Sequence, residues 1–342
     1  MKKIILFSLI LAFFLSSCKN KDAGELVVYG SCDVEYLNAA CLKFEQLTGI
    51  KTSYERLSTG EVLSKIESEN GKPSADVWFG GTTDPYNEAA AKGLLYPYEA
   101  KNAVHLVGEQ FKDPNNNWYG IYRGILGFFW NKTSLESMNI EPPKDWDDLL
   151  KEDYKDLIAF ANPKTAGTGK LIVNTLVQLK GEEEAMKYFS QLDKNVHRYT
   201  KSGAMPSKIV PSGEVAIGIG FLHDVVYQIV DNGFTNLGMT SPLSGTSYEI
   251  GASAIFNGCK NLENAKKFIE FVLSPDCVNI AQENGAYQFL VLDNAAPVTA
   301  ATNAGLDKIS TIVYDFEDAK LNGPKYYEEF FDSINVDNRI EK

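Results

Sequence analysis

The chain has 342 residues, 44% of them hydrophobic and 23% charged, and a net charge of −12. That balance excludes the basic surface that nucleic-acid binding needs, but not an anionic ligand held by local donors in a cleft. The length suits two lobes better than one core.

Lys2 and Lys3 precede an apolar run at 4–15, interrupted only by Ser8, and Ser16-Ser17-Cys18 follows. A basic start, a short apolar run and small residues before a break predict a secretory signal peptide over 1–17, too short to span a bilayer. Leu15-Ser16-Ser17-Cys18 resembles the bacterial lipobox. The resemblance implies that Cys18 is lipidated and that 18–24 is a tether. No later segment holds the roughly 18 apolar residues of a second span. The mature chain is expected to be exported to the periplasm or cell surface and anchored by lipid.

Residues 26–29 form a β-rich run ended by Gly30. Apolar residues at Leu37, Ala40, Cys41, Phe44 and Leu47 give 34–47 helical periodicity, stopped by Gly49. A strand over 51–56, a helix over 61–70, a strand over 75–79 and a helix over 84–92 follow. This alternation predicts a parallel sheet with crossover helices. The glycine-interrupted apolar run 124–130 is expected to cross into a second lobe. There, strands at 158–161 and 215–220 alternate with helices at 170–178, 182–192 and 225–230. A return strand over 247–256 and an amphipathic helix over 264–273 come next. Residues 326–331 are expected to lie on a helix closing the fold. The predicted architecture is α/β with two lobes, 25–122 plus 248–342 and 123–247, joined by two or three crossing strands around a ligand cleft.

Cys32, Cys41, Cys259 and Cys277 remain after Cys18. Four cysteines permit three pairings. Cys259 and Cys277 bracket one predicted helix and make the better pair; the alternative is four small buried apolar residues. No CxxC or Cys/His spacing suggests zinc, and no metal or cofactor is expected.

Several segments in order resemble the periplasmic solute-binding proteins of ABC importers, in the subgroup of ferric-ion and hexose-phosphate binders. They are Leu26-Val27-Val28-Tyr29, Ser74-Ala75-Asp76-Val77-Trp78-Phe79, Gly93-Leu94-Leu95, Trp118-Tyr119-Gly120, Ala161-Asn162-Pro163 and Gly213-Glu214-Val215-Ala216. The resemblance covers nearly all of the mature chain. It implies a hinged, two-lobed protein of the type II kind that closes on its ligand, acts as a monomer and delivers to permease subunits. Ferric binders of this family carry a His after the first strand, a Glu after the Ala-Asp-Val strand and a tyrosine pair after the Gly-Glu-Val strand. Here those places hold Gly30-Ser31-Cys32-Asp33, Gly80-Gly81-Thr82-Thr83 and His223-Asp224. The chain is therefore closer to the hexose-phosphate binders, whose His-Asp pair His223-Asp224 resembles, with Glu249 as a third contact to sugar hydroxyls. Ferric binding is the alternative.

The residues themselves suit such a ligand. A carboxylate accepts two hydroxyl protons, and an imidazole donates or accepts. The loop 163–169, with Thr165, Gly167, Thr168 and Gly169, opens a helix and so offers free amides and the positive dipole end to an anion. Ser31, Ser58-Thr59 and Thr82-Thr83 sit similarly at strand ends, where open α/β sheets bind ligands; the alternative for each is simple N-capping. No GxSxG elbow, HExxH pair or P-loop spacing occurs, so an enzyme, a phosphate-ester hydrolase for instance, is the weakest reading.

Overall fold

The alternating patterns of the first hundred residues fold as their periods require. A computed structural model describes residues 24–341. The expected signal peptide, Cys18 and all of the expected tether but Gly24 lie outside the described residues.

The strands are β1 (Glu25–Gly30), β2 (Lys51–Arg56), β3 (Val77–Thr82), β4 (Leu95–Tyr96), β5 (Tyr119–Asn131), β6 (Ile158–Ala161), β7 (Val196–Thr200), β8 (Ile217–Phe221), β9 (Leu237–Thr240), β10 (Tyr248–Phe256) and β11 (Phe289–Leu290). Their main path runs β2-β1-β3-β10-β5-β8-β6-β7. β1 is parallel to β2 and β3, as expected, but β10 enters antiparallel beside β3, so the first sheet is mixed. The helix Val34–Thr48 buries Tyr36, Leu37, Ala40, Cys41 and Phe44 and ends at Gly49 in the left-handed region, as its stripe and stop signal predict.

β5 is the hinge strand. Tyr119–Ile125 pair with β10 of the first lobe, and Leu126–Trp130 pair with β8 of the second. At that crossing the Leu126 amide donates to the Ser247 carbonyl at 3.1 Å, and the Ile312 amide donates to the Thr246 carbonyl at 2.8 Å. Three chain segments thus meet where the lobes join.

The assignment of 248–342 to the first lobe needs correction at its end. The closing helix Phe316–Ser333 puts Ala319, Tyr326, Tyr327 and Phe330 into the second lobe's core, beside Phe160, Leu176 and Phe189. Its amphipathic pattern specified a buried face but not the partner. The Cys259–Cys277 pairing is corrected too: all four described cysteines are free. Cys277 is fully buried with Tyr36 Oη at 3.7 Å from its sulfur, while Cys259 is only part-buried.

Candidate functional site

Parallel pairing aligns the ends of the first-lobe strands. Gly30 registers with Arg56 and with Phe79, so Ser31, Arg56 and the end of β3 at 80–82 emerge at one edge. There they face the second lobe, and a cavity lies between. Ser31, Ser58, Thr59 and Thr82 line it from the first lobe, Gly167 and Thr168 from the second. His223 and Asp224, in the first turn of the helix Leu222–Val230, line its other end together with Glu249 of β10.

Thr83, Thr165 and Gly169, expected in the same site, do not line the cavity. Thr83 is buried inside the helix Thr83–Ala91. Thr165 Oγ1 donates to the Lys201 carbonyl at 2.8 Å. A Cβ on Gly169 would lie 2.4 Å from the Ala161 carbonyl oxygen, so this glycine serves helix packing.

At the donor end the hydroxyls differ in what they leave free. Ser31 Oγ accepts from Trp78 Nε1 at 2.9 Å, which leaves its own proton unspent by that contact. Thr82 precedes the helix Thr83–Ala91 but makes no capping bond. Its Oγ1 is buried and has no hydrogen-bond partner among the described residues. Such an orphan is costly unless a ligand satisfies it. Ser58 behaves closer to a cap: its Oγ lies 2.8 Å from Glu61 Oε2 and 2.6 Å from the Thr165 carbonyl oxygen.

The helix Gly167–Lys180 begins at the cavity, which its first two residues Gly167 and Thr168 line. The Gly167 amide donates to Thr59 Oγ1 at 3.0 Å, from one lobe to the other. A Cβ on Gly167 would sit 1.8 Å from Thr82 Oγ1, so the approach needs glycine. Glu61–Lys201, at 2.7 Å, and the buried pair Glu88–Lys170 also bridge the lobes. The structure is thus that of a cleft with its walls in contact.

At the acceptor end, His223 Nε2 lies 3.4 Å from Asp224 Oδ1 and 3.8 Å from Glu249 Oε1. Burial pulls the His223 pKa down to about 3, so the ring is neutral near pH 7. Burial, then the Asp33 charge, pushes Asp224 up; burial, then Asp224 and Asp33, pushes Glu249 up. Gly124 pairs with Glu249 across the strands, and a Cβ there would stand 2.4 Å from His223 Cε1. Phe221 stacks on the ring at 5.3 Å.

Sequence reading missed Arg56, Tyr122, Gly203, Ala204 and Gln288 in the lining, with Cys32, Gly81, Ala166 and Phe221, and weighed Asp33 only as a ligand under the ferric alternative. Arg56 and Asp33 had a usable signal, since each stands at or just past the end of a parallel strand. Tyr122, whose hydroxyl accepts from the Gly81 amide at 2.9 Å, lies mid-strand and gave none.

The pattern of a bacterial extracellular solute-binding protein matches residues 73–311. The chain belongs to that family. A Haemophilus influenzae protein of uncharacterised function is 38% identical over 86% of this chain and 85% of its own. The periplasmic binding protein AfuA of Actinobacillus pleuropneumoniae, solved with exogenous fructose-6-phosphate bound, superposes with a TM-score of 0.87 at 36% identity, covering 92% of this chain and 99% of that one. The ferric binding protein of Campylobacter jejuni gives 0.77 at 20% identity over 90% and 99%, a likeness of fold. The chain is therefore a two-lobed solute-binding protein of the kind that serves ABC importers, and the two solved neighbours are themselves binding proteins.

Proposed function

We propose that the protein captures a sugar phosphate between its lobes and presents it, as a monomer, to the permease of an importer. The carrying observation is that one cavity holds two chemically different ends. Unpaired Thr82 Oγ1, the Ser31 hydroxyl and the start of the helix Gly167–Lys180 suit a phosphate. His223, Asp224 and Glu249 suit hydroxyls or other donors. The likeness to AfuA, solved with a sugar phosphate, supports the same reading.

Ferric binding finds less support: where ferric binders of this family carry a His, a Glu and a tyrosine pair, this chain has Gly30-Ser31-Cys32-Asp33, Gly80-Gly81-Thr82-Thr83 and His223-Asp224. A thermal-shift panel tests the choice. A ligand bound only by the native state stabilises it by about 2.7 kcal/mol at a hundredfold excess over Kd. Fructose 6-phosphate should raise the melting temperature and ferric citrate should not; the reverse pattern overturns the reading.

The proposal includes a lipid anchor on Cys18, supported by Leu15-Ser16-Ser17-Cys18. Cys18→Ala should move the protein from the membrane to the soluble fraction; retention of an unchanged membrane form would contradict it.

A further inference from the structure

The acceptor end holds more negative charge than a sugar needs. Asp33 lines the main cavity with Asp224 and Glu249, and both aspartates also line a smaller adjoining cavity with Glu35 and Lys208. Asp224 and Glu249 are 9% and 4% exposed. Among the described residues neither accepts a hydrogen bond, and the nearest donor, His223 Nε2, lies 3.4 Å from Asp224 Oδ1 and 3.8 Å from Glu249 Oε1. Among the described residues no Lys or Arg forms an ion pair with any of the three. Arg56, which also lines the cavity, gives its Nε proton to the Cys32 carbonyl at 3.2 Å.

A second, independent observation lies at the far end of the same cavity. Thr82 Oγ1, on a residue 4% exposed, is buried without a partner. One end therefore offers donors to an anion, and the other offers three carboxylates that Arg56 and Lys208 act on only from a distance, with no ion pair to either cation among the described residues.

We infer that the ligand is zwitterionic: a phosphate ester that also bears an ammonium group, held at Asp33, Asp224 and Glu249. This rests on the phosphate reading above and narrows it. Hydroxyls alone would leave three carboxylates facing one another with a phosphate dianion added nearby. An ammonium supplies three donors and the missing charge together. The upward pKa shifts of all three acids, each led by burial and opposed at both Asp33 and Asp224 by Arg56 and Lys208, agree with a site whose two distant cations do not offset its three acids.

The test is calorimetry with glucosamine 6-phosphate and glucose 6-phosphate at about pH 6.5, below the range of about 7.7–8.0 in which an α-amino-type amine loses its proton. Wild-type protein should bind the amino sugar at least about tenfold more tightly, and Asp33→Asn should erase most of that preference. The Asp33 side chain makes no capping bond to the helix Val34–Thr48, so asparagine costs that helix no contact; a circular-dichroism melt checks the fold, and Asp224→Asn serves as the second variant. Equal or weaker binding of glucosamine 6-phosphate overturns the inference and leaves the phosphate reading standing. Failure of both phosphates to bind overturns the reading and the inference with it.

Discussion

The Gly167 amide donates to Thr59 Oγ1 at 3.0 Å, joining the first turn of a second-lobe helix to a hydroxyl of the first lobe. The contact needs the two lobes as close together as they stand in this structure. Its geometry leaves no room for a side chain, since a Cβ at Gly167 would fall 1.8 Å from Thr82 Oγ1. Gly167→Ala should therefore block closure without harming either lobe. Ligand affinity should fall roughly a hundredfold, or about 2.7 kcal/mol, while the melting temperature without ligand stays put. Calorimetry and a thermal melt check the two halves of that statement.

Thr82→Val replaces a buried hydroxyl that has no partner by a group of the same shape. Removing an unsatisfied polar atom is neutral or stabilising, so the unliganded protein should melt no lower than wild type. Affinity for fructose 6-phosphate and for inorganic phosphate should drop together, by about tenfold for one lost hydrogen bond to a charged group. A lower melting temperature with unchanged affinity would mean the hydroxyl is structural.

Asp224→Ala separates the two ends of the cavity. Charge-assisted hydrogen bonds to hydroxyls or an ammonium contribute about 1.5–3 kcal/mol each, so fructose 6-phosphate should weaken roughly ten- to a hundredfold. Inorganic phosphate, which cannot reach that end, should bind at least as well once a nearby negative charge is gone. Titration of both ligands on this variant reads the difference directly.

Behind the cleft, Asp84 is buried with Glu88, Lys170, Asn174, Tyr314 and Tyr327 around it. Burial pushes its pKa up to about 7, with Lys170 opposing and Glu88 assisting. The folded state therefore holds a proton on Asp84 at pH values where an unfolded Asp, near 3.9, has lost it. Stability from this group is full near pH 4 and declines as pH rises to about 7, by at most about 1.4 kcal/mol per unit. Asp84→Asn should flatten that slope in melts taken between about pH 5 and 7.

Local pattern made much of this legible before any coordinates. The 34–47 stripe became the helix Val34–Thr48. The glycine-broken run 124–130 lies on the strand that crosses between lobes. His223-Asp224 stand at the start of a helix directly after β8, as residues at a strand's end should. What sequence withheld is which distant segments meet. Gln288 reaches the cavity from far along the chain, and Tyr122 points there because of strand register, which no local period reveals. Thr165 was misjudged for a similar reason: a hydroxyl in a loop serves ligand or backbone depending on the neighbour that folding supplies, here the Lys201 carbonyl.

The most direct test is calorimetric titration of the purified mature protein with fructose 6-phosphate, with fructose and ferric citrate run alongside. Saturable binding of fructose 6-phosphate at one site per chain, with no heat from fructose or ferric citrate, is the expected result. Saturable binding of ferric citrate with none of the sugar phosphate would contradict the assignment of this cleft.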